Sequence, residues 1–532
     1  MKRWNGWGDD NTTYPLPDKA TEFLTDLVGS GKTPPDASLP DVIAGVPESR
    51  LPRHTLINTD ADMRLRHARG QSLPDWIALR NGRISAFPDG VAFPTIDAEV
   101  ADLIRYAKDT GTKLIPYGGG SSVVGHINPQ PGDAPVLTVN MQRLNNLRHF
   151  DKTSQLATFG AGVSGPDVEA QLRAHGYTLG HYPQSFELST LGGWVVTRSS
   201  GQQSLRYGRI EDLFAGGTVE TPAGTWQLLP HPASAAGPDL RQLVLGSEGR
   251  LGILTEATVR ATLLPEEEAF HAVFFPNFEL GETAVRHMVQ SRIPLSMLRL
   301  STAVETTTTL ALAGHERLIG GLEKILGVRG VKDEKCMLMF GVTGSKALVK
   351  MARKAALDIA KAYKGVEVAG QTFGKQWAKG RFRTPYLRNT LWDMGYAIDT
   401  VETAVSWHKI DKTIADIEAP LRSGLAEWGE RVHVFTHLSH MYPQGASIYT
   451  TTLFRLADDP DETLARWHTL KANASAAIVA NGGTISHQHG VGSDHAPYLP
   501  AEKGELGMAV LQDTLRRFDP YGMMNPGKLI VD

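Results

Sequence analysis

A single cysteine in 532 residues, Cys336, excludes an intramolecular disulfide and fits a reducing compartment. It lies in the apolar run C-M-L-M-F, where a thiol behaves as a small buried hydrophobe. No stretch reaches the about 18 apolar residues that a transmembrane helix needs. The opening M-K-R-W-N-G-W-G-D-D carries positive charge but lacks the apolar core of a signal peptide, and the final K-L-I-V-D matches no anchor or retention signal. Cytoplasmic location is the expectation, and composition leaves peripheral membrane contact open. A formal net charge of −3 gives no reason to expect nucleic acid as a partner. Low-complexity linkers and long-range repeats are absent too. What remains is an ordinary soluble composition in a chain too long for one hydrophobic core, so two or three domains are expected.

Residues 1–85 are rich in Pro, Asp and Arg, with helices expected near 18–29 and 74–81. From 86 to 265 short strands alternate with glycine turns around an amphipathic helix, A-E-V-A-D-L-I-R-Y-A-K-D-T, which reads as one α+β domain. From 266 to 500 strands are separated by covering helices: A-V-F-F-P, C-M-L-M-F-G-V, V-E-V-A-G, H-V-F-T-H-L-S-H and S-I-Y-T-T-T-L-F. That pattern predicts an antiparallel sheet with helices on one face. A terminal helix and the turn P-Y-G-M-M-N-P-G fill 501–532.

Three glycine- and hydroxyl-rich turns follow or precede apolar strands: P-Y-G-G-G-S-S at 116–122, P-Q-S-F-E-L-S-T-L-G-G-W at 183–194 and G-S-E-G-R-L-G-I at 246–253. Gly118, Gly119 and Gly120 carry no Cβ and tolerate positive φ, so successive N–H groups can converge on a pyrophosphate, and Ser121 and Ser122 add donors. No Gly-Lys-Ser/Thr follows, which rules out a Walker loop. The second turn, with Thr197 and Ser200 beyond it, suits a ribityl chain and ring carbonyls. Glu248 and Gly249 precede a strand able to pair with a flat ring edge. Together the three turns indicate FAD. A literal G-x-G-x-x-G at Gly160, Gly162 and Gly165 lacks the acidic residue that a nicotinamide site requires at the end of a second βα unit, so it reads as a strand-to-helix turn.

Polar chemistry is concentrated downstream. His487 and His489 flank Gln488 in I-S-H-Q-H-G-V-G, and in a strand both would face one side. His433, His437 and His440 lie on another strand-like run. No C-x-x-C, H-E-x-x-H or nearby carboxylate cluster accompanies them, so acid–base or anion-binding work is preferred to a metal site. Tyr449 is a candidate proton donor, with a core tyrosine as the alternative.

The chain resembles the alkyldihydroxyacetonephosphate synthases, within the vanillyl-alcohol oxidase and p-cresol methylhydroxylase flavoproteins. The resemblance runs from K-R-W-N-G-W-G through G-G-W-V-V-T-R-S-S-G, Y-G-R-I-E-D-L, G-S-E-G-R-L-G-I-L-T-E-A-T and G-A-S-I-Y to A-N-G-G-T-I-S-H-Q-H-G-V-G. It implies a two-subdomain FAD-binding domain at 86–265, an antiparallel-sheet cap, and C-terminal helices that complete the FAD site. It implies a redox-neutral exchange in which a long-chain alcohol replaces the fatty acid of acyl-dihydroxyacetone phosphate, giving an ether lipid. Flavin contacts are implied at Pro116, Tyr117, Gly118, Gly119, Gly120, Ser121 and Ser122. They continue at Pro183, Gln184, Ser185, Phe186, Glu187, Leu188 and Ser189, and at Thr197, Arg198, Ser199 and Ser200. The last set is Glu248, Gly249, Arg250, Leu251, Gly252, Ile253 and Leu254. The family's active-site tyrosine falls on Tyr449, and His487 and His489 join it. Its substrate-binding arginine falls on Arg388 and a further functional arginine on Arg299. Two guanidiniums suit a lipid substrate with an anionic head. The family carries three successive histidines where Gln488 interrupts this chain, and a glutamine cannot titrate. No peroxisomal targeting extension precedes W-N-G-W-G, which points to a bacterial-type or cytosolic version. No histidine lies in the P-Y-G-G-G-S-S loop, although His126 follows it, so FAD is expected to be non-covalent. A homodimer is left open. The alternative function is an FAD-dependent dehydrogenase or oxidase of a 2-hydroxy acid or related alcohol, although its H-x-G-D-G-N-x-H segment is missing.

Overall fold

The computed structural model describes residues 2–313, 316–368 and 372–531. Its class is α+β. Near the N-terminus, helices Asp18–Val28 and Leu73–Arg80 form where apolar spacing places them. Ser72 caps the second through a reciprocal bond with Asp75, which satisfies N–H groups that the first turn leaves unpaired.

Two small sheets frame residues 57–260. In the first, strands Gly90–Ala92, Val136–Asn140 and Lys113–Tyr117 run parallel, and Ile57–Asn58 adds an antiparallel edge. Helix Asp97–Thr110 makes the crossover. Asp97 and Glu99 favour its N-terminal turn, Gly111 ends it in the left-handed region, and Val100, Leu103, Ile104 and Ala107 bury one face. The second sheet is antiparallel, in the order Leu147–Asp151, Leu156–Gly160, Ile253–Arg260, Phe214–Thr221 and Gly224–Leu228. The G-x-G-x-x-G segment joins this sheet to helix Gly165–Arg173. A Cβ on Gly162 would lie 1.7 Å from the Met141 carbonyl oxygen and one on Gly165 2.3 Å from that of Phe186. These glycines serve close packing.

The cap is a seven-stranded antiparallel sheet. Its order is Val366–Glu367, Glu267–Phe275, Cys336–Gly344, Met297–Ser301, His433–Tyr442, Gly445–Arg455 and Tyr396–Ser406. The expected strand V-E-V-A-G shortens to two residues, and its last two positions lie outside the described residues. Cys336 is fully buried in this sheet, and burial pushes its thiol up to about 12. Edge strand Tyr396–Ser406 and helix Ile410–Ser423, which packs against the sheet, are elements that the strand-and-helix spacing did not announce. The expected strand through His487 and His489 does not form; residues 481–492 are an irregular loop. The C-terminal helix, Leu499–Phe518, breaks its geometry at Gly504.

Candidate active site

Backbone approach explains the glycine turns. A Cβ on Gly118 would sit 2.2 Å from Thr190 Oγ1, and one on Gly119 only 1.6 Å from the Leu188 carbonyl oxygen. Turns 116–122 and 186–190 therefore touch main chain to main chain, which no side chain at 119 would allow. Among the described residues, the N–H groups of Gly119, Gly120, Ser121 and Ser122 donate to no backbone acceptor. Four successive unpaired donors, with Gly120 at φ +71°, form a concave anion nest. The donor set fits the pyrophosphate of FAD.

Several side chains implied as flavin contacts are committed to the protein itself. The Glu248 carboxylate accepts from the Val491 N–H at 2.5 Å and the Gly492 N–H at 2.8 Å, and lies 3.1 Å from His126 Nε2. Asn525 Nδ2 donates to the carbonyl oxygens of both Glu248 and His126. Glu248 thus rivets three turns and the C-terminal segment together, and its backbone, at φ +53°, is engaged as well, the N–H donating to the Val196 carbonyl. Glu187 accepts from the Tyr386 hydroxyl of the cap at 2.8 Å. Ser199 bonds His181 at 2.7 Å, Ser200 bonds His440 at 3.0 Å, and Ser189 accepts from the Trp194 indole at 2.7 Å.

The cap sheet presents a polar row. Tyr449 stands directly opposite His437 on one neighbouring strand and Glu402 on the other, so all three share a face. The His437 ring stacks on Tyr449 at 5.0 Å, and His489 meets it edge-on at 5.7 Å. The phenol donates to Thr400 Oγ1 at 3.2 Å, and burial raises it to about 12, so it stays protonated at neutral pH. Arg299 pairs with Glu305 at 2.5 Å and lies 3.3 Å from His437 Nδ1. Its charge is already neutralised. Arg388 differs: it donates to the Gln71 carbonyl and stacks on Trp76 at 4.6 Å, while its Nε and Nη2 are shielded from solvent without an acceptor. Burial pulls it down to about 10, so it remains a cation at neutral pH.

The histidine loop is held from both sides. His487 Nε2 lies 2.7 Å from Arg209 Nη1 and 2.7 Å from the Tyr442 hydroxyl. Arg209 can only donate, so Nε2 accepts and the proton of a neutral ring sits on Nδ1. Burial first, then Arg209, keeps His487 well below the ordinary histidine range. His489 has no such clamp: among the described residues no side-chain hydrogen bond engages its Nε2. A bulge between Ser439 and Met441 turns His440, at φ +44°, towards Ser200, Ser204 and the His487 ring.

Residues 88–229 match the family model described as "FAD binding domain", and 264–529 match "FAD linked oxidases, C-terminal domain". The alkyldihydroxyacetonephosphate synthase of Dictyostelium discoideum is 30% identical over 99% of this chain and 93% of its own length. That of Trypanosoma brucei brucei is 30% identical over 89% of this chain and 78% of its own. A solved alkyldihydroxyacetonephosphate synthase superposes with a TM-score of 0.85 at 27% identity, covering 98% of both chains. The chain belongs to the alkyldihydroxyacetonephosphate synthase family. FAD is its cofactor.

Within this family frame the structure draws Tyr449, His489 and the histidine loop together, with Arg388 in the same neighbourhood. Arg299 reaches the same row through His437. Sequence reasoning did not single out Arg209, Tyr442, Glu402 or Glu305. Arg209 lies in the quoted Y-G-R-I-E-D-L segment, but its partner is 278 positions away. Among the described residues no group of three or more His, Cys, Asp and Glu is placed to hold a metal ion, and no helix is long and apolar enough to cross a membrane.

Proposed function

We propose that this chain is an alkyldihydroxyacetonephosphate synthase, exchanging the fatty acid of acyl-dihydroxyacetone phosphate for a long-chain alcohol. The observation that carries the reading is Arg388: a solvent-shielded cation with two unused donors beside a protonated tyrosine and a free imidazole. A phosphate accepts both donors from a planar guanidinium. Gly119, Gly120, Ser121 and Ser122 would hold the FAD pyrophosphate, and FAD, when bound, would supply the flavin ring's chemistry to the substrate carbon. The protein does the rest. Tyr449 donates a hydrogen bond to the departing carboxylate oxygen as the C–O ester bond breaks. His489 Nε2 takes the hydroxyl proton of the alcohol as its oxygen forms the new C–O bond. Fatty acid leaves, an ether remains, and no net oxidation occurs. Arg299, neutralised by Glu305, orients His437 beneath the Tyr449 ring.

Arg388→Ala tests the reading. Losing charge-assisted bonds of about 1.5–3 kcal/mol each should raise KM for the phosphorylated substrate about tenfold or more while FAD stays bound. Wild-type KM in that variant contradicts the clamp. Long-chain acyl and alcohol substrates sit in lipid, which supports a cytoplasmic enzyme touching membrane surfaces peripherally. Its flavin is non-covalent and its working form a homodimer in this reading. Liposome co-sedimentation, acid precipitation and light scattering check these features.

A further inference from the structure

Glu402 lies outside every sequence motif yet sits at the centre of the histidine loop. Its side chain is almost fully shielded, at 1% exposure. One carboxylate oxygen, Oε1, accepts from Ser486 Oγ at 2.9 Å, the Gln488 N–H at 2.9 Å and the His489 N–H at 2.8 Å. The same oxygen lies 3.6 Å from His489 Nδ1, and Oε2 lies 3.8 Å from His487 Nδ1. Oε2 has no hydrogen-bond partner among the described residues. No lysine or arginine lies within salt-bridge distance of this carboxylate among the described residues. A buried carboxylate without a cation is costly unless donors surround it. Here the donors are the backbone of the loop that carries both imidazoles.

We infer that Glu402 is a positioning residue: it ties down the 486–489 loop and fixes His489 with its proton on Nδ1, so that Nε2 keeps a free lone pair beside Tyr449. The inference rests on the proposed exchange only for its need of a base. The logic is that of an imidazole oriented by a carboxylate, where the contact shortens once substrate closes the site. Strand register supports it, because Glu402 is the direct cross-strand neighbour of Tyr449. One carboxylate thereby sets the distance between the phenol and the imidazole. The groups facing His489 include Glu402, Asp399 and Tyr449 on the cap strands, Lys471 on helix Pro460–Ala480, His126, and His487 and His495 on either side of it in the chain. Burial depresses His489 most, the two carboxylates oppose that, and Lys471 and His126 add to it.

Glu402→Gln keeps an acceptor for the loop and removes the charge. With FAD still bound, kcat should fall about 10- to 100-fold with KM changed far less. The acidic limb of the pH–rate profile should move to lower pH, since His489 loses a group that favours its protonated form. Wild-type kcat and an unmoved limb overturn the inference. A second measurement needs no active-site variant to fold: nitrogen-15 histidine spectra of the wild-type holoenzyme. His489 is expected as the Nδ1–H tautomer, and an Nε2–H tautomer overturns the inference. That spectrum also separates the two claims, because an Nδ1–H tautomer in a protein that forms no ether leaves the positioning role standing and removes the exchange.

Discussion

Tyr449 is stacked by His437, met edge-on by His489, and bonded to Thr400, so its hydroxyl has one geometry and one protonation state at neutral pH. Tyr449→Phe removes a proton donor without opening a cavity. Turnover should fall about 100-fold or more, as for loss of a general acid, while flavin absorbance per polypeptide stays at the wild-type value. Full turnover in a flavin-loaded Tyr449→Phe enzyme would remove the tyrosine from the chemistry. The two histidines are not equivalent. His487 Nε2 is already engaged by Arg209 and Tyr442, whereas His489 Nε2 has no side-chain hydrogen bond among the described residues. Gln488, the departure from three consecutive histidines, gives its backbone N–H to Glu402 and lies near His440. Neither contact requires a titrating group at 488.

At the scale of elements, the glycine turns carry the most restrictive geometry. Gly119→Ala places a methyl group into the Leu188 carbonyl, so the 116–122 and 186–190 turns must part. The variant should fold yet purify without yellow colour, and FAD titration should show lost affinity; wild-type FAD binding would contradict the nest. Strands and helices with clear periodicity were legible in the chain: helix Asp97–Thr110, strand Cys336–Gly344 and helix Lys346–Ala362 stand where apolar spacing puts them. The histidine loop was not. Alternation of His487 and His489 suggested a strand, but Glu402 captures the N–H groups that a strand would give to a neighbour. Long-range partners such as Glu402 with residue 489, or Arg209 with 487, leave no local signature because the fold alone brings them together. The glycine turns were legible for the opposite reason, since close backbone approach demands glycine at fixed positions.

Across the whole molecule, burial of neutral histidines ties stability to pH. Burial holds His181 at about 3 and His67 and His433 at about 4, whereas unfolded histidine titrates near about 6.5. Above that value neither state binds protons and the groups cost nothing. Below it the unfolded chain gains protons that the native chain refuses, so each group removes up to about 1.4 kcal/mol per pH unit until its native pKa is reached. The Tm by calorimetry should therefore drop steadily from about pH 6.5 to about pH 4. A flat Tm over that range would mean that these imidazoles are solvated. In the proposed function, the backbone donors at 119–122, the buried Arg388, the protonated Tyr449 and His489 together serve a redox-neutral ether-forming exchange. One measurement tests that claim most directly. Purified yellow protein receives acyl-dihydroxyacetone phosphate and isotope-labelled fatty alcohol, and the lipid fraction is examined by mass spectrometry. Labelled alkyl-dihydroxyacetone phosphate is the predicted product. No ether, together with bleaching of the flavin by a 2-hydroxy acid, would contradict the account and make the protein a dehydrogenase.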